Sequence, residues 1–168
     1  GWIFKEEIKV EGGWRRVVPS PAPIDFKNAA LVERMARSGS IVITGGGGGI
    51  PVYVDGEGML QPLEGVIDKD LASAMIGARV KADELYILTD VPYIYKDFRK
   101  PTQEVLEFLD YADTMKYLEA GTFGEGSMAP KIRACLSFVE KGGQKAVITE
   151  ATKLEDRRYG SKITMHYD

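Results

Sequence analysis

The chain has 168 residues, with 22 Lys plus Arg against 25 Asp plus Glu and a formal net charge of −3 when its histidine is neutral. At 44% hydrophobic and 28% charged residues it reads as one globular domain, which argues against a disordered segment or a nucleic-acid coat. A single cysteine, Cys135, excludes an internal disulfide, and with a single histidine, His166, there is no cluster for structural zinc or for Cys-His or Ser-His catalysis.

The stretch from Trp2 to Val18, with apolar Ile3, Phe4, Ile8 and Val10 before Gly12-Gly13 and Trp14 to Val18 after it, predicts a short strand pair that Pro19-Ser20-Pro21 ends. From Asp25 to Ser38 the residues Ala29, Leu31, Val32, Met35 and Ala36 fall on a helical stripe, stopped by Gly39. Ile41 to Thr44 is a continuous apolar run of the kind a parallel strand covered on both faces shows. It enters five glycines, Gly45 to Gly49, followed by Val52 to Val54 and a polar turn, Asp55 to Gly58. Asp68 opens a helix whose Leu71, Ala74, Met75, Ala78 and Ala82 share a face. Leu85 to Thr89 predicts a second buried strand, and Pro92 to Pro101 a loop or short hairpin. Asp113 to Ala120 predicts a helix. A further helix capped by Ser127 carries Met128, Ile132, Cys135, Leu136 and Val139 and stops at Gly142-Gly143. Lys145 to Thr149 and Lys162 to His166 predict the last strands. Alternation of strands and helices implies an α/β fold with a largely parallel sheet. No apolar run approaches the roughly 18 to 20 residues of a membrane span, no signal peptide is visible, and the chain is read as cytoplasmic.

Three predicted strands end alike, Thr44 into Gly45, Thr89 into Asp90 and Thr149 into Glu150. In open α/β sheets ligands lie beyond the carboxyl ends of strands, so these ends mark the rim of a candidate cleft, or else ordinary strand punctuation. The glycine run lets backbone N–H groups approach an anion, although it matches neither a P-loop nor a G-x-G-x-x-G pattern. Its alternative, a flexible linker, fits poorly between two apolar runs. Lys69 and Lys131 both fall in the first turns of helices, where a cation costs about 0.3 to 1 kcal/mol. Convergence of both ammonium groups and both helix ends on one phosphate accounts for that placement; solvent-exposed lysines are the alternative. Asp70 could orient the ammonium groups, hold magnesium through water, or serve only as a first-turn acid. Asp90 is placed for a polar ligand contact, Cys135 for the core and His166 for the surface.

Five segments in order resemble the carbamate kinases: Trp14 to Pro21 (WRRVVPSP), Gly45 to Val52 (GGGGGIPV), Val66 to Ala72 (VIDKDLA), Leu88 to Val91 (LTDV) and Gly126 to Lys131 (GSMAPK). That resemblance implies a three-layer α/β/α sandwich of the amino acid kinase superfamily, a homodimer, and a place in arginine metabolism. It implies phosphoryl transfer between ATP and carbamate, giving ADP and carbamoyl phosphate with Mg2+. By the same resemblance Lys69 and Lys131 contact phosphates and Asp70 organises them. Gly46, Gly47 and Gly48 lie near the acceptor, while Thr89, Asp90, Val91, Met128 and Pro130 hold the nucleotide. The family's usual Asp-Gly-Val-Tyr after the Leu-Thr-Asp-Val segment is replaced here by Pro92-Tyr93-Ile94-Tyr95. The family's N-terminal half, with a first glycine-rich loop and an Asn-Pro-Thr-Lys-Pro segment, has no counterpart in the chain. Residues 1–23 are therefore expected to be part of a small protruding subdomain and 24–168 the nucleotide-binding C-terminal part. The missing half is expected to be required for activity. Another kinase of the superfamily and a non-catalytic nucleotide-binding module are the alternatives.

Overall fold

A computed structural model describes residues 2–6 and 12–166. Strands β1 (Ile3–Glu6) and β2 (Trp14–Val17) pair antiparallel, as the apolar runs on either side of the two glycines predict. Ile8 and Val10 lie outside the described residues. This hairpin is exposed on nearly all its positions, with Trp2 72% and Trp14 68% exposed. The segment after it is tied back where Val66 N–H donates to the Pro19 carbonyl and Arg16 pairs with Glu64.

Helix α1 (Ala29–Arg37) starts four residues after Asp25, because the Asp25 carboxylate is engaged elsewhere: it accepts from Phe26 N–H at 2.8 Å and from the Arg79 guanidinium at 2.7 Å. The predicted buried strand at Ile41 to Thr44 does not form. Ile41 is 96% and Ile43 94% exposed, and no strand among the described residues pairs with the run. Its apolar pattern encodes burial without naming what supplies it, and a parallel strand needs a neighbour to bond to. Beyond the glycines, β3 (Val52–Val54) pairs antiparallel with β4 (Leu60–Pro62) across a turn closed by Asp55, whose Oδ1 accepts from Glu57 and Met59 N–H groups. The second strand of that hairpin was not foreseen.

Helix α2 (Lys69–Arg79) is capped by Asp68, which accepts from Asp70 N–H at 2.9 Å and Leu71 N–H at 3.1 Å. β5 (Glu84–Thr89) follows, then a hairpin of β6 (Ile94–Lys96) and β7 (Glu104–Leu106): of the loop or short hairpin expected from Pro92 to Pro101 the hairpin forms, and it reaches past Pro101 to Leu106. β8 (Phe108–Asp110) is a short strand the sequence pattern did not flag. α3 (Tyr111–Glu119) starts two residues early because Asp110 caps it through Asp113 N–H. α4 (Met128–Glu140), β9 (Lys145–Glu150) and β10 (Ser161–Thr164) complete the chain.

The main sheet runs β5-β9-β10-β8. β5 and β9 are parallel, as are β8 and β10, while β10 runs antiparallel to β9. The sheet is thus mixed, with two of its three pairings parallel, in an α/β arrangement. Leu85, Ile87, Ala146, Ile148 and Ile163 point to one face and pack with the helices into the core. The largest share of that core from any one element comes from α4, whose Ala129, Ile132, Ala134, Cys135 and Phe138 are all 0% exposed.

The packing of α2 on α4 decides the rest. The Phe138 ring lies against Gly77, where an added Cβ would sit 3.0 Å from it, and against Gly143, where the gap would be 2.2 Å. Seven residues earlier on both helices, Asp70 meets Lys131. Seven residues are about two helical turns, so the equal offsets mean that the helices run parallel and begin at the same end. Cys135, one turn after Lys131, is enclosed here, and burial, reinforced by the Asp70 charge, pushes its thiol well above the ordinary range. We expect Cys135 to resist a thiol reagent in the native protein and to react fully after denaturation. Rapid native labelling would place it at the surface.

Candidate functional site

Because each helix is followed by a strand that returns along it, the parallel start of α2 and α4 sits beside the carboxyl ends of β5 and β9. Thr89 and Glu150 stand opposite each other at those ends. A cleft of about 500 Å³ opens there. Thr89 at the end of β5 lines it together with Asp90 and Val91 just beyond that strand, and Met128 and Lys131 line it from α4. Its other wall is the β6–β7 hairpin, through Tyr95 and the tip residues Asp97 to Lys100, together with the Thr122 to Gly124 loop. A second groove, about 380 Å³ between α3 and α4 and including Tyr111, Met115 and Glu140, contains none of the expected residues.

The two lysines expected to converge do so on one carboxylate. Lys131 Nζ donates to Asp70 Oδ2 at 2.9 Å, and Lys69 Nζ lies 4.0 Å from the same oxygen. Their surroundings differ. The Lys131 and Asp70 side chains are only 14% and 10% exposed, whereas Lys69 is 65% exposed. Lys131 is therefore fixed by its pair, and Lys69 is free to swing toward solvent.

The helix ends themselves contribute less than expected. Ser127 occupies the cap position of α4, yet its side chain makes no capping hydrogen bond. Instead the Gly124 carbonyl accepts from the N–H groups of Ser127, Met128 and Ala129, each at 3.1 Å. On α2 the Asp68 carboxylate takes the Asp70 and Leu71 donors. Most first-turn amides are thus satisfied within the chain, and the lysine side chains are the cations left to meet an anion.

The glycine run reaches the same corner by a close backbone approach. Gly48 lies so near Ile67 that a Cβ there would fall 1.8 Å from the Ile67 carbonyl oxygen. Ile67 precedes the Asp68 cap, so the loop abuts the start of α2. Gly45, Gly46, Gly47 and Gly49 all have positive φ, a backbone that other residues resist. Gly46, Gly47 and Gly48 nevertheless do not line the 500 Å³ cleft, nor do Lys69 and Pro130. The site has two compartments meeting at Asp70, the cleft on the Lys131 side and the glycine loop at the α2 start.

For the hairpin wall, sequence reasoning expected a loop or short hairpin but gave it no place in the site. Tyr95 and Phe98 stack with ring centres 5.5 Å apart, and burial raises the Tyr95 phenol above its usual range. The run of aromatic and basic residues between Pro92 and Pro101 was the available signal. What hid the wall is that Asp97 and Arg99 adopt left-handed backbone, φ 51 and 63, a conformation that an aspartate favours only weakly and an arginine does not announce at all. Among the described residues no group of three or more Asp, Glu, His or Cys is arranged to hold a metal by itself, and no helix is long and apolar enough to cross a membrane.

The described geometry has close relatives. The chain is 46% identical over 149 residues to the carbamate kinase of Thermoplasma volcanium, covering 89% of this chain and 48% of that one. A solved structure from Aeropyrum pernix superposes with a TM-score of 0.87 at 38% identity, covering 98% of this chain and 53% of the other. Carbamate kinase from Giardia lamblia bound to AMP-PNP gives a TM-score of 0.87 at 32% identity, covering 98% and 52%. The chain spans about half the length of the curated relatives it matches. The resemblance to carbamate kinases is thus upheld over most of the chain. The model of the amino acid kinase family matches residues 5–150, and the chain belongs to that family.

Proposed function

We propose that the protein transfers a phosphoryl group between ATP and carbamate, making or consuming carbamoyl phosphate, and that this chain supplies the nucleotide-side half of the catalytic machinery. The observation carrying the proposal is the shared carboxylate, with Lys131 at 2.9 Å and Lys69 at 4.0 Å from Asp70 Oδ2, beside a cleft large enough for a nucleotide.

Carbamate is already an anion, so its oxygen attacks the γ-phosphorus without a general base. The barrier is charge repulsion, which is lowered by in-line placement and by cations positioned for the transition state. Lys131, held rigid by Asp70, stabilises the transferring phosphoryl group. The mobile Lys69 follows the nucleotide phosphates, and Asp70 sets the spacing of both. N–H groups of the Gly46 to Gly48 loop cradle the acceptor. Thr89, Asp90, Val91, Met128 and Pro130 shape the nucleotide side. Magnesium would be met here by the Asp90 carboxylate on the cleft wall, through water, and would supply further charge neutralisation.

The working protein on this reading includes the other half, is a cytoplasmic homodimer, and has residues 1–23 in its protruding subdomain. Exposure of Ile41, Ile43 and Ile50, each 89% or more, and of Leu88 on the edge strand β5 supports a missing neighbour. The isolated 168-residue chain should form ATP from carbamoyl phosphate and ADP at least about 100-fold more slowly than the full-length protein; comparable rates would refute the requirement for the other half. Offering the full-length protein carbamoyl phosphate, glutamyl phosphate or UDP with ADP identifies the acceptor. Activity confined to one of the latter two would move the protein to another kinase class. ADP binding without any transfer would make it a nucleotide-binding module.

A further inference from the structure

The hairpin wall of the cleft carries a cation that the mechanism above does not use. At its tip the polar groups are largely paired with one another. Asp97 Oδ1 accepts from Lys100 Nζ at 2.8 Å, Asp97 Oδ2 accepts from Thr102 Oγ1 at 3.0 Å, and Gln103 Oε1 accepts from Arg99 N–H at 2.8 Å. Asp97 thereby cancels the Lys100 charge, while across the cleft Asp70 partners Lys131. The Arg99 guanidinium has no carboxylate: its carbon lies 5.2 Å from the centre of the Phe98 ring, and it makes no ion pair among the described residues. A guanidinium laid on an aromatic face keeps its edge donors available, and those donors match phosphate oxygens in pairs. Phe98 is itself stacked on Tyr95, so the guanidinium rests on an aromatic support. The left-handed backbone at Asp97 and Arg99, on either side of Phe98, is what turns this tip, and such conformations in non-glycine residues cluster at ligand-holding positions.

We propose that Arg99 grips the phosphate chain of the bound nucleotide from the hairpin side of the cleft, facing Lys131. This deepens the proposed function and rests on its assignment of the cleft to a nucleotide. Losing one bidentate cation should weaken ADP binding about tenfold while leaving adenosine, which has no phosphate, unaffected. Calorimetric titration of the full-length protein and its Arg99→Gln variant with ADP, AMP and adenosine tests this. Arg99→Lys should recover part of the ADP affinity, because it keeps the charge but not the fork. Arg99→Gly, which removes the left-handed penalty and should melt no lower than wild type, should show the same ADP loss and so excludes misfolding as its cause. Equal ADP affinity in wild type and Arg99→Gln, or an equal loss for adenosine and ADP, would overturn the assignment. Failure of the wild-type protein to bind ADP would instead bring down the nucleotide reading of the cleft, and this proposal with it.

Discussion

Replacing Lys131 by alanine in the full-length protein should lower turnover at least about 100-fold, the scale set by removing one preorganised charge-stabilising group. The same change should lower stability, for a separate reason. Asp70 is 93% buried as a residue, its pair to Lys131 is the shortest contact its carboxylate makes, and Lys69, 4.0 Å away and 65% exposed, is a weak substitute. Removing one partner of a buried pair leaves a charge without compensation, a cost of about 3 kcal/mol in well-enclosed cases. The two effects separate in a Lys131→Met, Asp70→Asn double variant. It removes both charges and keeps the helix contact, so its melting temperature should return toward wild type while turnover stays low. Recovery of turnover along with stability would show that Lys131 acts only by holding α4 to α2. Wild-type turnover in Lys131→Ala would remove the residue from the mechanism.

Much of this arrangement was legible before any coordinates, because the features that position it are local. Asp68 caps α2, Gly142-Gly143 ends α4, and the apolar runs at Leu85 to Thr89 and Lys145 to Thr149 form adjacent parallel strands. Two helix-strand units with parallel strands place both helix starts at one rim, and two first-turn lysines then need only a common partner, which Asp70 is. What failed was what depends on a neighbour. Ile41 to Thr44 has the composition of a buried strand, but composition does not supply the strand beside it. Ser127 has the residue type of a cap, yet the Gly124 carbonyl reaches the amides first. The hairpin wall is a tertiary product: Ser161 Oγ accepts from Ile94 N–H at 2.7 Å, anchoring β6 to the start of β10 across 67 residues of sequence. No periodicity reports a contact of that span, and none reports left-handed backbone at Asp97 and Arg99.

The glycine loop yields the second large effect, and here sterics rather than charge decides. Gly46 and Gly47 have open space where a Cβ would stand, so Gly46→Ala meets only the left-handed backbone penalty, about 1 to 2 kcal/mol. Gly48 is different. Its φ is not in the left-handed range, but an alanine Cβ would lie 1.8 Å from the Ile67 carbonyl oxygen and 2.6 Å from its carbonyl carbon. These are backbone atoms one residue before the Asp68 cap, so they cannot rotate away as a side chain could. Either the loop lifts or the start of α2 shifts, and both move the glycine N–H groups relative to Lys69 and Asp70. A displacement of about 1 Å in a catalytic array costs about 100-fold in rate. Gly48→Ala in the full-length protein should therefore lose at least about 100-fold in turnover and melt lower than wild type. Gly46→Ala should retain most of its stability, and Gly56→Ala, at a glycine with neither positive φ nor a nearby atom, should behave as wild type. Wild-type turnover in Gly48→Ala would mean that the contact between the glycine loop and the first turn of α2 does no work in catalysis, which would leave Lys131, Lys69, Asp70 and the hairpin cleft as this chain's share in the reaction.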